Sequence, residues 1–425
     1  IVAHPGVMFI TRFRSEADSF AEQVNKIAGS RVAAAYYSKS DTSLSEASRF
    51  PVLAITHAAC ERHQNTHNAT GDVTEDGTVW DHLIAWQHSL RAKIIIDETP
   101  NFVSSVQINA AALGHVASLK WLPGATARTY FELEVLLELL AGLPHHDQAL
   151  DPGAYEALES IPTTCIRDHL AGLDDYALSL SSDKDGPSMR KICKSTLSDI
   201  EAIQANRWSW VSFREDAAQL NSSKLHPSLR SGSGIILDGT ATLYPGYELL
   251  TPPASIVRAP PNVRSYDRVK LHIARGHNCG KEYWTRYAAE LWPKYRASLK
   301  AAIPNAEDVL IVGHKDFRVT VDTGPQRPFT FAHYGEIDGR NDWDTYEAVA
   351  LLGLPYWDRA TPANIAQSLL GPQSNDWLKT STHRQIGKQD DILTALHRVY
   401  LSVSIVQAIC RVRCRKPIDS FGRCK

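Results

Sequence analysis

At 425 residues and 47.1 kDa the chain exceeds one ordinary core and has room for two or three domains. With 43% hydrophobic residues, 22% charged residues and a formal net charge of -2, it is neither disordered throughout nor globally basic, so any nucleic-acid contact must be a local patch. Seven scattered cysteines, odd in number and without a CxxC pair, argue against a disulfide framework and fit a reducing compartment, with the cytoplasm as default. No uninterrupted apolar run approaches the roughly 18 residues of a bilayer span, and no signal pattern opens the chain, so a soluble protein is expected.

Three apolar runs rich in β-branched residues come early: Val7 to Thr11, Val52 to Thr56 and Lys93 to Asp97. Each reads as a buried parallel strand. Between the first two, Ala17, Phe20, Ala21 and Val24 recur at helical spacing behind Ser15 as a cap, so the order strand, helix, strand predicts an α/β fold. From about Asn101 to Arg230 the texture is helical, with apolar faces in Tyr130 to Leu143, Thr164 to Leu180 and Met189 to Ile203, and strand-like runs are nearly absent. Strand texture returns at Gly234, and a second α/β series follows. Its expected strands are Val269 to Ala274, Val309 to Val312, Phe329 to His333 and Ala348 to Leu352, with a long helix near Tyr283 to Ala302.

The strongest chemical signal is IIIDETP, residues 94 to 100. A strand ending in Asp97 and Glu98 puts two carboxylates at the carboxyl edge of a parallel sheet, where α/β proteins bind nucleotides; the bland alternative is an acidic end facing solvent. Next comes Asp238-Gly239-Thr240-Ala241-Thr242, where Thr240 and Thr242 at a strand end can hydrogen-bond a neighbouring carboxylate, or simply make a turn. Near the end, Gln407, Arg411 and Arg413 follow an apolar helix; a helix's preference for cations at its carboxyl end explains the arginines but not the glutamine.

The order of these elements resembles superfamily 2 helicases of the DEAD/DEAH-box type. ITRFR, ITHAA, IIIDE, GTAT and QAICRVR stand in the order of that family's motifs Ia, Ib, II, III and VI; Val309 to Phe317 resembles the motif IV strand, and Gly335 to Pro355 resembles motif V. The resemblance implies two RecA-like parallel-sheet domains of the P-loop NTPase type. It implies ATP and Mg²⁺ as cofactors, with Asp97 holding the metal and Glu98 activating water. Thr240 and Thr242 would couple the site to the strand, Gly339, Asn341 and Asp342 would contact nucleotide or phosphate, and Gln407, Arg411 and Arg413 would complete the cleft. Thr11, Arg12, Thr56 and His57 would face nucleic-acid phosphates.

The long interval between Asp97 and Thr240 resembles the arch of the XPD and DinG branch, which favours DNA over RNA as the partner, in the setting of a larger replication, repair or mobile-element assembly and without a membrane. That branch's cluster cysteines are not matched, since only Cys60 lies between motifs Ia and II. The expected domains are 1–102 with 231–252, a helical insertion over 103–230, and 253–425. Motif I, the P-loop GxxxxGK(S/T), should precede Val7, where six residues stand. Gly276 to Glu282 imitates it with the wrong spacing and reads as a loop before a helix. The start at Ile1 and the end at Lys425 fit a piece of a longer protein. A helicase or translocase core is therefore expected, with a non-enzymatic nucleic-acid-binding module as the alternative. His57, Cys60, His63 and His67 could share one helical face, but four ligands on one straight helix cannot converge on a tetrahedral ion, so no structural metal is predicted there.

Overall fold

The computed structural model describes residues 6–62, 79–86, 89–97, 103–180, 186–214, 216–225, 234–250, 253–258, 265–274, 280–319, 329–337, 340, 342–385 and 390–415. It has mixed α/β architecture in two compact units. One comprises residues 1–239, 249–252 and 359–394; the other comprises 240–248, 253–358 and 395–425. The segment 359–394, expected with the second domain, thus groups with the first unit.

The first unit opens with β1 (Val7–Thr11), α1 (Arg14–Ala28), β2 (Ala33–Tyr36), β3 (Val52–Thr56) and β4 (Lys93–Asp97). With the strand Gly234–Leu237 these form one parallel sheet ordered Gly234–Leu237, β4, β1, β3, β2. β1 and β3 are covered on both faces, which is why they read as unbroken apolar runs. Period-two alternation divides their side chains. Met8, Ile10, Leu53 and Ile55 join Trp80, Leu83 and Ile96 on one face, whereas Phe9 and Ala54 meet Ala17 and Ala21 of α1 on the other. The rings of Phe9 and Phe20 stack 3.8 Å apart. α1 begins one residue before the expected cap: Phe13 is its N-cap, and Glu16 accepts the Phe13 N–H at 3.2 Å.

Arg91 fastens the opposite, amino end of this sheet. It is buried, and its guanidinium donates to the carbonyls of Leu83, Phe50, Pro51 and Ala47 at 2.8 to 3.0 Å and to that of Val7 at 3.4 Å. Burial pushes its pKa down to about 10, which still leaves it charged at neutral pH.

The interval expected to be helical carries its own sheet. In chain order it holds β5 (Val103–Asn109), α2 (Ala110–Ser118), α3 (Ala127–Ala141), β6 (Gln148–Ala149), α4 (Pro152–Ser160), α5 (Thr163–Gly172), α6 (Asp175–Leu180), α7 (Gly186–Asn206), β7 (Trp210–Arg214) and β8 (Ala217–Leu225), followed by the Gly234–Leu237 strand, β9. The sheet is antiparallel, ordered β5, β8, β7, β6. The helices were legible because Leu133, Leu136, Leu140, Ile166, Leu170, Leu197 and Ile200 fall at helical spacing and share one core. At roughly 1.5 to 3 kcal/mol for each fully buried side chain of that size, this core is the main support of the segment. The strands escape notice because β8 carries Asn221, Ser222 and Ser223, all fully buried. Their donors find partners elsewhere in the fold: Asn221 donates to Ser212 Oγ at 2.9 Å, Ser222 to the Trp208 carbonyl at 2.8 Å and Ser223 to the Asn364 carbonyl at 2.8 Å.

In the second unit α8 (Lys281–Ala302) lies against a parallel sheet ordered β11 (Phe329–His333), β10 (Val309–Gly313), β12 (Ala348–Leu351). β10 is buried at every position, and Trp284, Ala288, Trp292 and Tyr295 of α8 cover one side with Ile311, Phe317 and Phe331. Gly313 is required there, since a Cβ would lie 2.8 Å from the Phe317 ring and 3.2 Å from the Leu352 carbonyl. The strand expected at Val269 to Ala274 does not form; Leu271 and Ile273 point to solvent.

Two further helices are α9 (Ala360–Leu370) and α10 (Ile392–Ile409). α9 belongs with the inserted sheet, because its Asn364 accepts the Trp210 indole N–H at 2.8 Å. α10 is long and apolar enough to cross a bilayer by length and composition, with a mean hydropathy of 1.5, although His397 and Arg398 interrupt its middle. Its end enters the second unit's core through Ala408, followed by Val412 and Cys414.

Candidate functional site

The chain visits the first sheet in an order that reverses at β1: β2 and β3 lie on one side of it, β4 and β9 on the other. In parallel sheets a crevice opens outside the carboxyl ends at such a reversal, and ligands bind there. The residues collected at this edge are Thr11 at the end of β1 with Arg12 after it, Thr56 at the end of β3 with His57 after it, and Asp97 at the end of β4.

A cavity of about 510 Å³ opens at this edge, lined among others by Arg12, Arg14, Ser15, Ser38, Thr56 and Arg62. Three guanidiniums and three hydroxyl residues converge there, and α1 presents its amino end to the same space. Arg14 donates to Ser38 Oγ at 2.8 Å and lies 5.5 Å from the centre of the Tyr37 ring, so its fork is positioned before any ligand arrives. Thr56 is nearly buried, and its hydroxyl accepts the Ala59 N–H at 3.2 Å, capping the helical residues 57–62. Guanidinium forks, hydroxyls and a helix amino end suit phosphate oxygens and carry no preference for base sequence.

Of the residues expected to face phosphates, Arg12 and Thr56 line the cavity and Thr11 does not. Thr11 is fully buried, and its hydroxyl donates to Glu16 at 2.6 Å. The carboxylate that also accepts the Phe13 N–H has drawn that hydroxyl inward, giving it a structural task. His57 places Nε2 3.2 Å from the Asp97 carbonyl. Asp97 itself is half-buried, and Glu98 lies outside the described residues. Cys60 is buried, which pushes its thiol up to about 12, while His63 and His67 lie outside the described residues.

In the second unit Thr240 is buried and directly precedes a short turn, Ala241–Leu243, on which Thr242 is exposed. Gly339 and Asn341 lie outside the described residues. Asp342 accepts from Arg340, whose Nε lies 2.8 Å from Oδ2, and the Arg340 carbonyl accepts Nη1 of the buried Arg411 at 3.1 Å. Arg413 donates to Glu347 at 2.9 Å, and its backbone N–H reaches the Tyr346 carbonyl at 3.1 Å. Gln407 is half-buried on α10. The structure therefore joins Asp342 and Arg411 through Arg340, a residue that sequence reasoning missed. Arg14, Ser38 and Arg62 were missed too; the repeated arginine in TRFRS was the available signal for the first.

No family model matches the chain, and no curated protein matches it. Among solved structures, one titled "Truncated XPD" is similar over 56% of this chain and 82% of that chain, at 13% sequence identity and a TM-score of 0.32. So distant a likeness leaves the reading of the site to its own residues.

Proposed function

We propose that the first unit grips the phosphate backbone of a nucleic-acid strand and that the chain is the core of an ATP- and Mg²⁺-dependent helicase or translocase acting on DNA. The observation that carries this reading is the cavity of Arg12, Arg14 and Arg62 at the same sheet edge as Asp97. In this reading the two parallel sheets are those of RecA-like domains. Asp97 holds Mg²⁺ and Glu98 orients the attacking water. Thr240 and Thr242 relay the state of that centre, and Gly339, Asn341, Asp342, Gln407, Arg411 and Arg413 bind or sense the nucleotide.

The direct test is binding of a labelled single-stranded oligonucleotide across a salt series. Each guanidinium that meets a phosphate contributes about 0.7 to the slope of log affinity against log salt for a single strand. Arg12→Ala and Arg62→Ala should each flatten that slope and weaken binding to strands of any sequence. Wild-type affinity and slope in both variants would remove the proposal.

A non-catalytic strand-binding module is the second reading, since the arginine cavity would grip a strand without turnover. Strand-stimulated ATP hydrolysis, lost in Asp97→Asn, decides for the motor. Tight strand binding without hydrolysis decides for the module.

A further inference from the structure

α8 carries aromatic rings on two faces, and only one of them is explained by packing. Trp284, Trp292 and Tyr295 are buried against the second sheet. Tyr283 and Tyr287, four residues apart and therefore on one face, are exposed with ring centres 4.8 Å apart. The helix is broken at Tyr287, where the backbone leaves helical geometry (φ -122°, ψ 16°). Tyr356, in the segment following β12, is 68% exposed and faces the same cavity of about 470 Å³. Gly280, Lys281, Glu282 and Arg286 complete its lining.

We infer that Tyr283, Tyr287 and Tyr356 form a stacking site for a nucleobase, with Arg286 beside it for the attached phosphate. Three solvent-accessible phenol rings line one cleft, and a nucleobase is the flat, polar-edged partner that gains from stacking on them. The cavity falls in the size range of small-ligand sites. The cations have different standing: Lys281 Nζ is engaged by Asp316 at 3.0 Å, whereas Arg286 projects from the same exposed turn as the two tyrosines. Glu282, four residues before Arg286 and on the same side of the helix, offsets part of that charge, so the rings supply the main attraction and Arg286 the cation for the attached phosphate. The base could belong to a strand or to a free nucleotide. The strand case rests on the function proposed above, whereas the nucleotide case does not.

The test compares three probes on the full chain: a short single-stranded DNA oligonucleotide, an abasic oligonucleotide of the same length, and ATP. Stacking of one base on an aromatic residue changes affinity by about tenfold. The wild type should therefore prefer the base-bearing strand to the abasic one by about that factor. Tyr356→Ala and Tyr283→Ala should erase the preference without altering the salt slope, and Tyr356→Phe should keep it. If the tyrosine variants weaken ATP binding and leave the strand preference intact, the base is that of a free nucleotide. Unchanged strand preference together with unchanged ATP binding overturns the site while leaving the arginine cleft standing. Absence of strand binding by the wild type overturns the strand-gripping proposal, and the ATP arm then decides the stacking site alone.

Discussion

His57 and Asp97 meet across a strand that separates them. His57 directly follows β3 and Asp97 ends β4, with β1 between, yet Nε2 of the imidazole lies 3.2 Å from the Asp97 carbonyl. The contact requires a proton on Nε2. His57→Ala should cost about 1 kcal/mol, the net worth of one intramolecular hydrogen bond, and should speed amide exchange at the end of β4. Unaltered exchange there would show that the strand end is held by other contacts.

Arg91 carries more of the fold's stability than any surface pair. A planar fork meets five carbonyls from β1, the approach to β3 and the segment before Arg91 itself. A lysine cannot reproduce that geometry. Arg91→Lys should lower unfolding stability by about 3 kcal/mol, the scale of a few lost bonds to a charged donor. Urea titration checks this; a loss under half that size would mean that water replaces the carbonyl contacts.

Asn364 anchors α9 to the inserted sheet through the Trp210 indole, and both residues are buried. Asn364→Leu keeps the volume but leaves a buried donor without its acceptor, at a cost of about 1 to 3 kcal/mol. Trp210→Phe removes the donor. The double variant should therefore lose less than the sum of the single losses, and strict additivity in thermal unfolding would contradict the pairing.

The strands that were legible in the sequence are those that form short, largely apolar runs: β1, β3 and β4 in the first unit and β10, β11 and β12 in the second. β2 passes unnoticed because it is built on three successive alanines, Ala33 and Ala35 against α1 and Ala34 in the core of the other face, which have little strand character. β8 is hidden by buried serines and an asparagine whose partners are tertiary. Val269 to Ala274 misleads in the opposite sense, since its alternating apolar residues have no sheet to join. At the site the local motifs place Arg12, Thr56 and Asp97 at one edge. Thr11 turns inward because Glu16 offers a carboxylate one turn into α1, and Arg62 and Ser38 enter the cavity from elements whose convergence only tertiary structure reveals.

His314 sets a pH dependence for the second unit. Burial, and then the charge on Lys281, pull its pKa below the usual histidine value, partly opposed by Asp316. The unfolded chain therefore takes up a proton at a higher pH than the folded one. This group leaves stability unaffected above the unfolded histidine value, and stability is lost as pH falls from that value toward the folded one. His314→Gln should flatten the stability profile in that window, just below pH 6.5. A profile parallel to wild type would assign the slope to other groups.

The inserted sheet begins at Val103 and ends at Leu225, and these two residues are paired across the β5–β8 ladder. Paired antiparallel residues lie about 5 Å apart. Once that ladder has zipped, β4 and β9 are joined by a short effective tether, residues 98–102 and 226–233, and the entropy of closing the long interval has already been met within the insertion. β9 is thus the strand of the parent sheet whose arrival depends on the prior folding of another sheet. An alteration in the β5–β8 ladder should delay completion of the first sheet's edge, even though it touches no residue of that sheet.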